Sequence, residues 1–160
     1  MTVSVPLKLR RLGYRLAYRG LQVFWFLARP TKRGVKCVVT DRDRVLLVRH
    51  TYGRRSWDIP GGSIKRRESP LSAARREMSE ELGLDGAEWT EIGELRGRVD
   101  HRHDTIHCFR VELSAPTLTI DPGELAAARW FSRDELPADL GPYVGEIITR
   151  APTINGEPQS

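Results

Sequence analysis

A chain of 160 residues, 39% apolar and 29% charged, is long enough for one domain with a sizeable core and too apolar to stay disordered. Its net charge of +5 is uneven: residues 1–40 hold nine of the 26 Lys and Arg and no acid, leaving 17 against all 21 acids and a net −4 beyond them. The pI of about 9.6 therefore describes an arm and argues little for a nucleic-acid-binding domain.

Residues 7–29 predict a helix, started by Pro6 and stopped by Pro30. Leu9, Leu12, Leu16, Val23, Phe24 and Leu27 follow helical spacing, with Gly13 and Gly20 on the same stripe. Arg11, Arg15 and Arg19 line another face. Residues 1–33 thus form a basic amphipathic arm with three readings. It packs on the remaining domain or on a second copy as a homodimer, with the glycines permitting close approach. It touches an anionic membrane surface peripherally through residues 7–29. Or it meets nucleic acid, which ranks last because no base-reading module is evident. Packing is favoured over membrane contact. The longest apolar run, Val23–Ala28, is too short for a membrane span and lacks the pattern of a cleaved leader, which points to a cytoplasmic protein.

Gly34–Thr40 and Val45–His50 are apolar, β-branched runs that predict a hairpin around Asp41–Arg44. Thr51–Ser56 is a polar basic loop. Glu91–Val99 and Thr105–Leu113 predict a second strand pair around Asp100–Asp104, and Leu118–Ile120 a short strand. Ala127–Phe131 predicts a strand leading into Ser132-x-x-Glu135, the capping-box start of a short helix. A last helix covers Tyr143–Arg150, and residues 151–160 form a disordered tail. Cys37 and Cys108 fall in strands and read as reduced, buried small residues. Strands mixed with separated helices imply an α+β domain over residues 34–150.

Between the two strand pairs lies the most informative segment, Gly62 to Leu84. Its second half predicts a helix with Ser69 as N-cap, Pro70 at the first position and Gly83 at the end. Glu77, Glu80 and Glu81 share one face, where like charges repel. At roughly 100° per residue they border the apolar arc of Leu71, Ala74, Met78 and Leu82. A carboxylate at a core boundary needs a positive partner, and a hard divalent cation is one. Arg76, one turn before Glu80, is another. Taken alone, the acids leave a solvated charged face and a metal site evenly matched.

The full spacing decides between them. Gly62, five residues, Glu68, seven residues, Arg76-Glu77, Met78, one residue, Glu80-Glu81, one residue, Gly83-Leu84 resembles the Nudix box with no departure at a motif position. Trp57-Asp58-Ile59-Pro60-Gly61-Gly62 is similar to the approach to that box. Ala128-Arg129-Trp130-Phe131 with Asp134-Glu135-Leu136-Pro137 is similar to its C-terminal trailer. The resemblance covers roughly residues 34 to 148.

The resemblance implies an α/β/α sandwich around a central mixed sheet. It implies a Mg²⁺- or Mn²⁺-dependent pyrophosphohydrolase that cleaves the diphosphate of a nucleoside diphosphate linked to another group. Its ligands fall at Glu77, Glu81 and Glu80, with Glu68 supporting a further ion and the Gly62 carbonyl contributing. Arg76 orients a box glutamate. Glu80 is a candidate to accept the proton of the attacking water; Glu124 is a loop acid of the kind some relatives use, but its reading as a solvated turn residue is favoured. Arg49, Arg54 and Arg55, with His50, form a cationic cluster ahead of an anion site and are substrate-contact candidates, as are Trp57 and His103. His101, His103 and His107 with Asp104 read as a polar hairpin tip and not as a zinc site. A second reading is a catalytically silent module that binds a nucleotide as sensor or regulator; the complete set of box acids ranks it lower.

Overall fold

The computed structural model describes residues 7–28, 31–99 and 102–151. The tail, the prolines expected to bound the first helix, and Asp100 and His101 of the hairpin tip lie outside the described residues. The elements run in chain order α1 (Leu7–Ala28), β1 (Thr31–Asp41), β2 (Arg44–His50), β3 (Gly61–Ser63), α2 (Pro70–Leu82), β4 (Thr90–Val99), β5 (Arg102–Glu112), β6 (Leu125–Ser132) and α3 (Val144–Arg150).

The strands form one mixed sheet in the order β4-β5-β1-β2-β6. β1 pairs with β5 in parallel, from Thr31↔His103 to Thr40↔Glu112, while β4–β5 and β2–β6 are antiparallel. Side chains alternate across the sheet, so each central strand feeds two layers. Val35, Cys37 and Val39 of β1, with Leu46 and Val48 of β2, meet Ala73, Ala74, Met78 and Leu82 of α2. Val38, Val45 and Leu47 point the other way, to Val144, Ile147 and Ile148 of α3. The result is an α+β domain layered α/β/α, with α1 as a separate N-terminal helix. Both cysteines are buried and free.

β1 and β2 pair only near the hairpin turn, at Thr40↔Val45 and Asp41↔Arg44, and then part. The chain from Trp57 to Ser63 fills the opening. The Val48 and Asp58 backbones exchange hydrogen bonds of 2.8 and 2.9 Å, and the Cys37 amide donates to Pro60 O at 2.9 Å. β3 then pairs with Gly34–Lys36 of β1. This split in the sheet places two adjacent glycines, Gly61 and Gly62, beside α2.

The signals at the ends of α2 act as their chemistry dictates. Ser69 Oγ accepts the Ser72 amide at 3.1 Å. Gly83 turns left-handed at φ 65°, and the Gly83 and Leu84 amides return to Ser79 O and Met78 O, both at 3.0 Å.

Three expectations change. Leu118–Ile120 is not a strand; it runs past the end of α2, where the Thr119 and Asp121 amides donate to the otherwise unpaired carbonyls of Leu82 and Glu81. Ser132–Glu135 makes one turn and no helix. The Glu135 amide bonds Ser132 O at 3.1 Å, but Pro137 biases Leu136 toward extended backbone and stops propagation. β5 starts at Arg102, so the second hairpin has a shorter tip than its polar sequence suggests.

The arm α1 docks through its polar face, not its glycine stripe. Arg10 pairs with Asp121 at 3.1 Å, Arg11 donates to Pro122 O at 2.9 and 3.0 Å, and Arg15 donates to Thr51 O at 3.2 Å. Leu9, Leu12, Leu16 and Val23 are half or more exposed, and nothing stands within 4 Å of a Cβ built on Gly13 or Gly20. The reason is local: the loops after β2 and before β6 present acceptors, which guanidinium groups satisfy and leucines cannot. No helix among the described residues is long and apolar enough to cross a membrane.

Candidate active site

The site forms where β3 meets α2. Gly62 stands against the end of Glu77: a Cβ there would overlap its carboxyl atoms. Gly61, at φ 153°, stands against Val35 O in the same way. Two residues without side chains thus let β3 lie against both β1 and the acid-bearing face of the helix.

Arg76 organises the acids. Its Nε and Nη2 bind the two carboxylate oxygens of Glu68 at 2.8 and 2.9 Å. Nη1 donates to Glu77 at 2.8 Å and to Glu80 at 3.2 Å, and Nη2 also donates to Ser63 O at 3.0 Å. The bonds from Arg76 hold the Glu68 carboxyl down to about 2. One guanidinium serves three carboxylates, and a fourth lies beyond its bonds.

That fourth is Glu81. It is 2% exposed and accepts the Gly61 amide at 3.3 Å. Burial pushes its carboxyl up to about 8, and the charge of Glu77 pushes the same way; Lys36 opposes them. Lys36 is itself committed to Asp58 at 2.7 Å and to Ile59 O at 3.0 Å. The acidic side chains here offer oxygen donors, the kind that suits a hard divalent cation. Among the described residues no three acidic, His or Cys side chains already stand grouped as a metal cage, because Arg76 holds oxygens of Glu68, Glu77 and Glu80.

These groups line a cleft of about 460 Å³, within the usual range for a small-molecule site. Of the expected site residues, Gly62, Arg76, Glu77, Glu80, Glu81, Arg54 and Glu124 line it, as does His50. Glu68 stands beside them on Arg76. Glu124 is half-buried, and desolvation, Asp121 and Glu77 together raise its pKa. The Tyr14 hydroxyl reaches it at 3.5 Å, and the Thr51 amide donates to its carbonyl at 2.8 Å. It is a held residue and not a free turn. Burial lowers His50 to about 4, so its imidazole is neutral.

Four expected contacts lie elsewhere. Trp57 is 6% exposed and packs in the core, edge-on to Phe131 at 4.9 Å. Arg49 lies over the Trp57 ring at 4.5 Å and pairs with Asp139. Arg55 is exposed in the groove beside α1. His103 is exposed on β5 between Thr31 and Arg98. Lys36, Tyr52 and Tyr18 are among the lining residues that were not anticipated. Lys36 had a signal, since it is the one cation inside the apolar run Val35–Val39. Tyr18 had none, because its position depends on how α1 docks.

The sequence model of the NUDIX domain matches residues 30–151, and the chain belongs to the Nudix family. An RNA pyrophosphohydrolase of Saccharophagus degradans is 39% identical over 62 residues, covering 39% of this chain and 36% of that protein. An ADP-ribose pyrophosphatase of Mycobacterium tuberculosis is 44% identical over 48 residues, covering 29% of this chain and 23% of that protein. The chain thus spans about two fifths or less of the length of these relatives. A MutT NUDIX hydrolase from Burkholderia pseudomallei shares the fold, with a TM-score of 0.70 at 20% identity over 76% of this chain and 98% of that one. The two relatives are named for different substrates, so membership of the family leaves the substrate open.

Proposed function

We propose that this chain hydrolyses the diphosphate bond of a nucleoside diphosphate linked to another group, by attack of water on phosphorus, with Mg²⁺ or Mn²⁺ as cofactor. The observation that carries the reading is Glu81: a buried carboxylate beside Glu77, with one backbone amide for company, in a cleft open to solvent. Four carboxylates around one guanidinium are poorly compensated unless a further positive charge joins them.

Glu77, Glu80 and Glu81, with the Gly62 carbonyl, are the groups that would hold the cation, and Glu68 would support a second. Bound there, it neutralises phosphate charge and lowers the pKa of a coordinated water. The chain's own groups do the rest. Arg76 fixes the Glu77 and Glu68 carboxylates and spends its donors on them, so it positions ligands and does not hold substrate. Lys36 and Arg54 place positive charge on the cleft wall for the diphosphate. Glu80, the most exposed of the box acids with a 56% exposed side chain and bonded to Arg76 at 3.2 Å, is the candidate to accept the proton of the attacking water. Glu124, the half-buried acid of the loop before β6, is the competing base.

The deciding experiment incubates the full chain with Mg²⁺ or Mn²⁺ and a panel of sugar nucleotides, ADP-ribose, dinucleoside polyphosphates and oxidised nucleotides, with products read by mass spectrometry. The expected products are a nucleoside monophosphate and a phosphorylated partner. No turnover across the panel with either ion would overturn the reading.

A further inference from the structure

Two tyrosines from distant parts of the chain meet in the cleft that holds Glu77, Glu80 and Glu81. Tyr18 comes from α1 and Tyr52 from the loop after β2. Their ring centroids lie 5.9 Å apart at 47°. Tyr14 backs Tyr52 at 5.6 Å, and His50 flanks it at 5.5 Å.

The seat of Tyr18 is built into the backbone. Gly53 is left-handed at φ 66°, and a Cβ there would come within 2.8 Å of Tyr18 Cζ. A residue without a side chain admits the ring at this point. Arg10, Arg11 and Arg15 then fasten α1 to Asp121, Pro122 and Thr51, on the two loops that carry Glu124 and Tyr52. Tyr143 also lines the cleft, but it packs onto Gly97 and the core beneath α3.

Most other side chains of the cleft named above carry charge, which suits a diphosphate and repels nothing flat. A pair of half-buried rings suits the opposite chemistry, a planar aromatic group that stacks without base-specific hydrogen bonds. We propose that Tyr18 and Tyr52 form a stacking subsite for the nucleobase of the substrate, which makes α1 a wall of the binding site. This rests on the reading of the chain as a nucleoside diphosphate hydrolase and adds which residues take the base.

The test is calorimetric titration of the full chain in Mg²⁺ with two probes. One is α,β-methylene-ADP, whose diphosphate analogue cannot be hydrolysed; the other is methylenediphosphonate, the same anion without a nucleoside. Wild type is expected to bind the nucleotide far more tightly than the bare anion. Tyr18→Ala and Tyr52→Ala should each weaken nucleotide binding about tenfold and leave the bare anion unchanged, with Tyr18→Phe close to wild type. Alanine variants that bind the nucleotide as wild type does would overturn the proposal. So would an equal loss for both probes, which would mean that the rings only support the loops. Because the probe is not cleaved, failure of the hydrolytic reading shows separately, as absent turnover of the cleavable panel with base-dependent binding intact.

Discussion

Arg76 meets Glu68 fork to fork, Nε to Oε1 at 2.8 Å and Nη2 to Oε2 at 2.9 Å, across eight residues of sequence. The pair ties the loop before α2 to the helix and leaves Nη1 to reach Glu77 and Glu80. A lysine has the charge but not the fork. Arg76→Lys should therefore keep the fold with a loss of about 1–2 kcal/mol in urea unfolding, and lower kcat more than KM, because Glu77 is no longer aimed. An unchanged kcat would remove Arg76 from its positioning role. In acid the Glu68 contact should fail late, since its carboxyl stays ionised until the pH falls from the usual 4.5 towards about 2.

Glu81 gives the opposite pH dependence. Its carboxyl has an ordinary value of 4.5 and is raised to about 8 in the fold without metal. Between those values the folded chain holds a proton that the unfolded chain has released. Stability of the metal-free protein should therefore fall as pH rises from about 5 to 8. Glu81→Gln carries no such charge and should unfold at a higher temperature than wild type at pH 8 in EDTA, while losing hydrolysis about a hundredfold or more. Adding Mg²⁺ at pH 8 should raise the melting temperature of wild type and not of the variant. Parallel melting curves across this range would show that the carboxylate is not desolvated.

The paired glycines separate fold from function. A Cβ on Gly61 would strike Val35 O, which is backbone and cannot yield, at a φ of 153° that side chains rarely adopt. Gly61→Ala should destabilise the domain by about 1–3 kcal/mol or more. The three atoms nearest a Cβ on Gly62 all belong to the end of the Glu77 side chain, which can swing away at the cost of its bond from Arg76. Gly62→Ala should melt near wild type yet bind Mg²⁺ about tenfold more weakly or worse, read by competition with Mn²⁺ in electron paramagnetic resonance. If Gly62→Ala unfolds and Gly61→Ala does not, the assignment of the two glycines is wrong.

What the sequence makes legible is what it encodes locally. Ser69, Pro70 and Gly83 each act within a few residues of themselves, so both ends of α2 and the phase of its acids can be read without tertiary knowledge. The near-continuous apolar runs of β1 and β2 likewise announce two buried faces. The parallel pairing of β1 with β5 is invisible because it joins segments some 70 residues apart through no periodic signal. β3 is three residues, two of them glycine, and exists only because β1 and β2 separate. The arm misleads for a related reason. Its apolar stripe suggests the docking face, but its cations find acceptors on two loops whose positions are set by the sheet.

That docking predicts the outcome of removing the arm. Among the described side chains the first buried apolar one in chain order is Val35, and no described side chain of α1 belongs to the two core clusters. Its described links are one partly exposed ion pair, hydrogen bonds and tilted rings, of which the exposed pair stabilises little. Deleting residues 1–28 should therefore shift the urea midpoint by less than the equivalent of about 1 kcal/mol, with cooperative unfolding retained. The loops 51–54 and 121–124 would lose Arg10, Arg11, Tyr14 and Arg15 together, and Glu124 would lose the hydroxyl that steadies it. Turnover of a nucleoside diphosphate substrate should fall about tenfold or more in kcat/KM. A truncated chain that hydrolyses like wild type would free the active site from α1, and one that no longer unfolds cooperatively would make α1 part of the core.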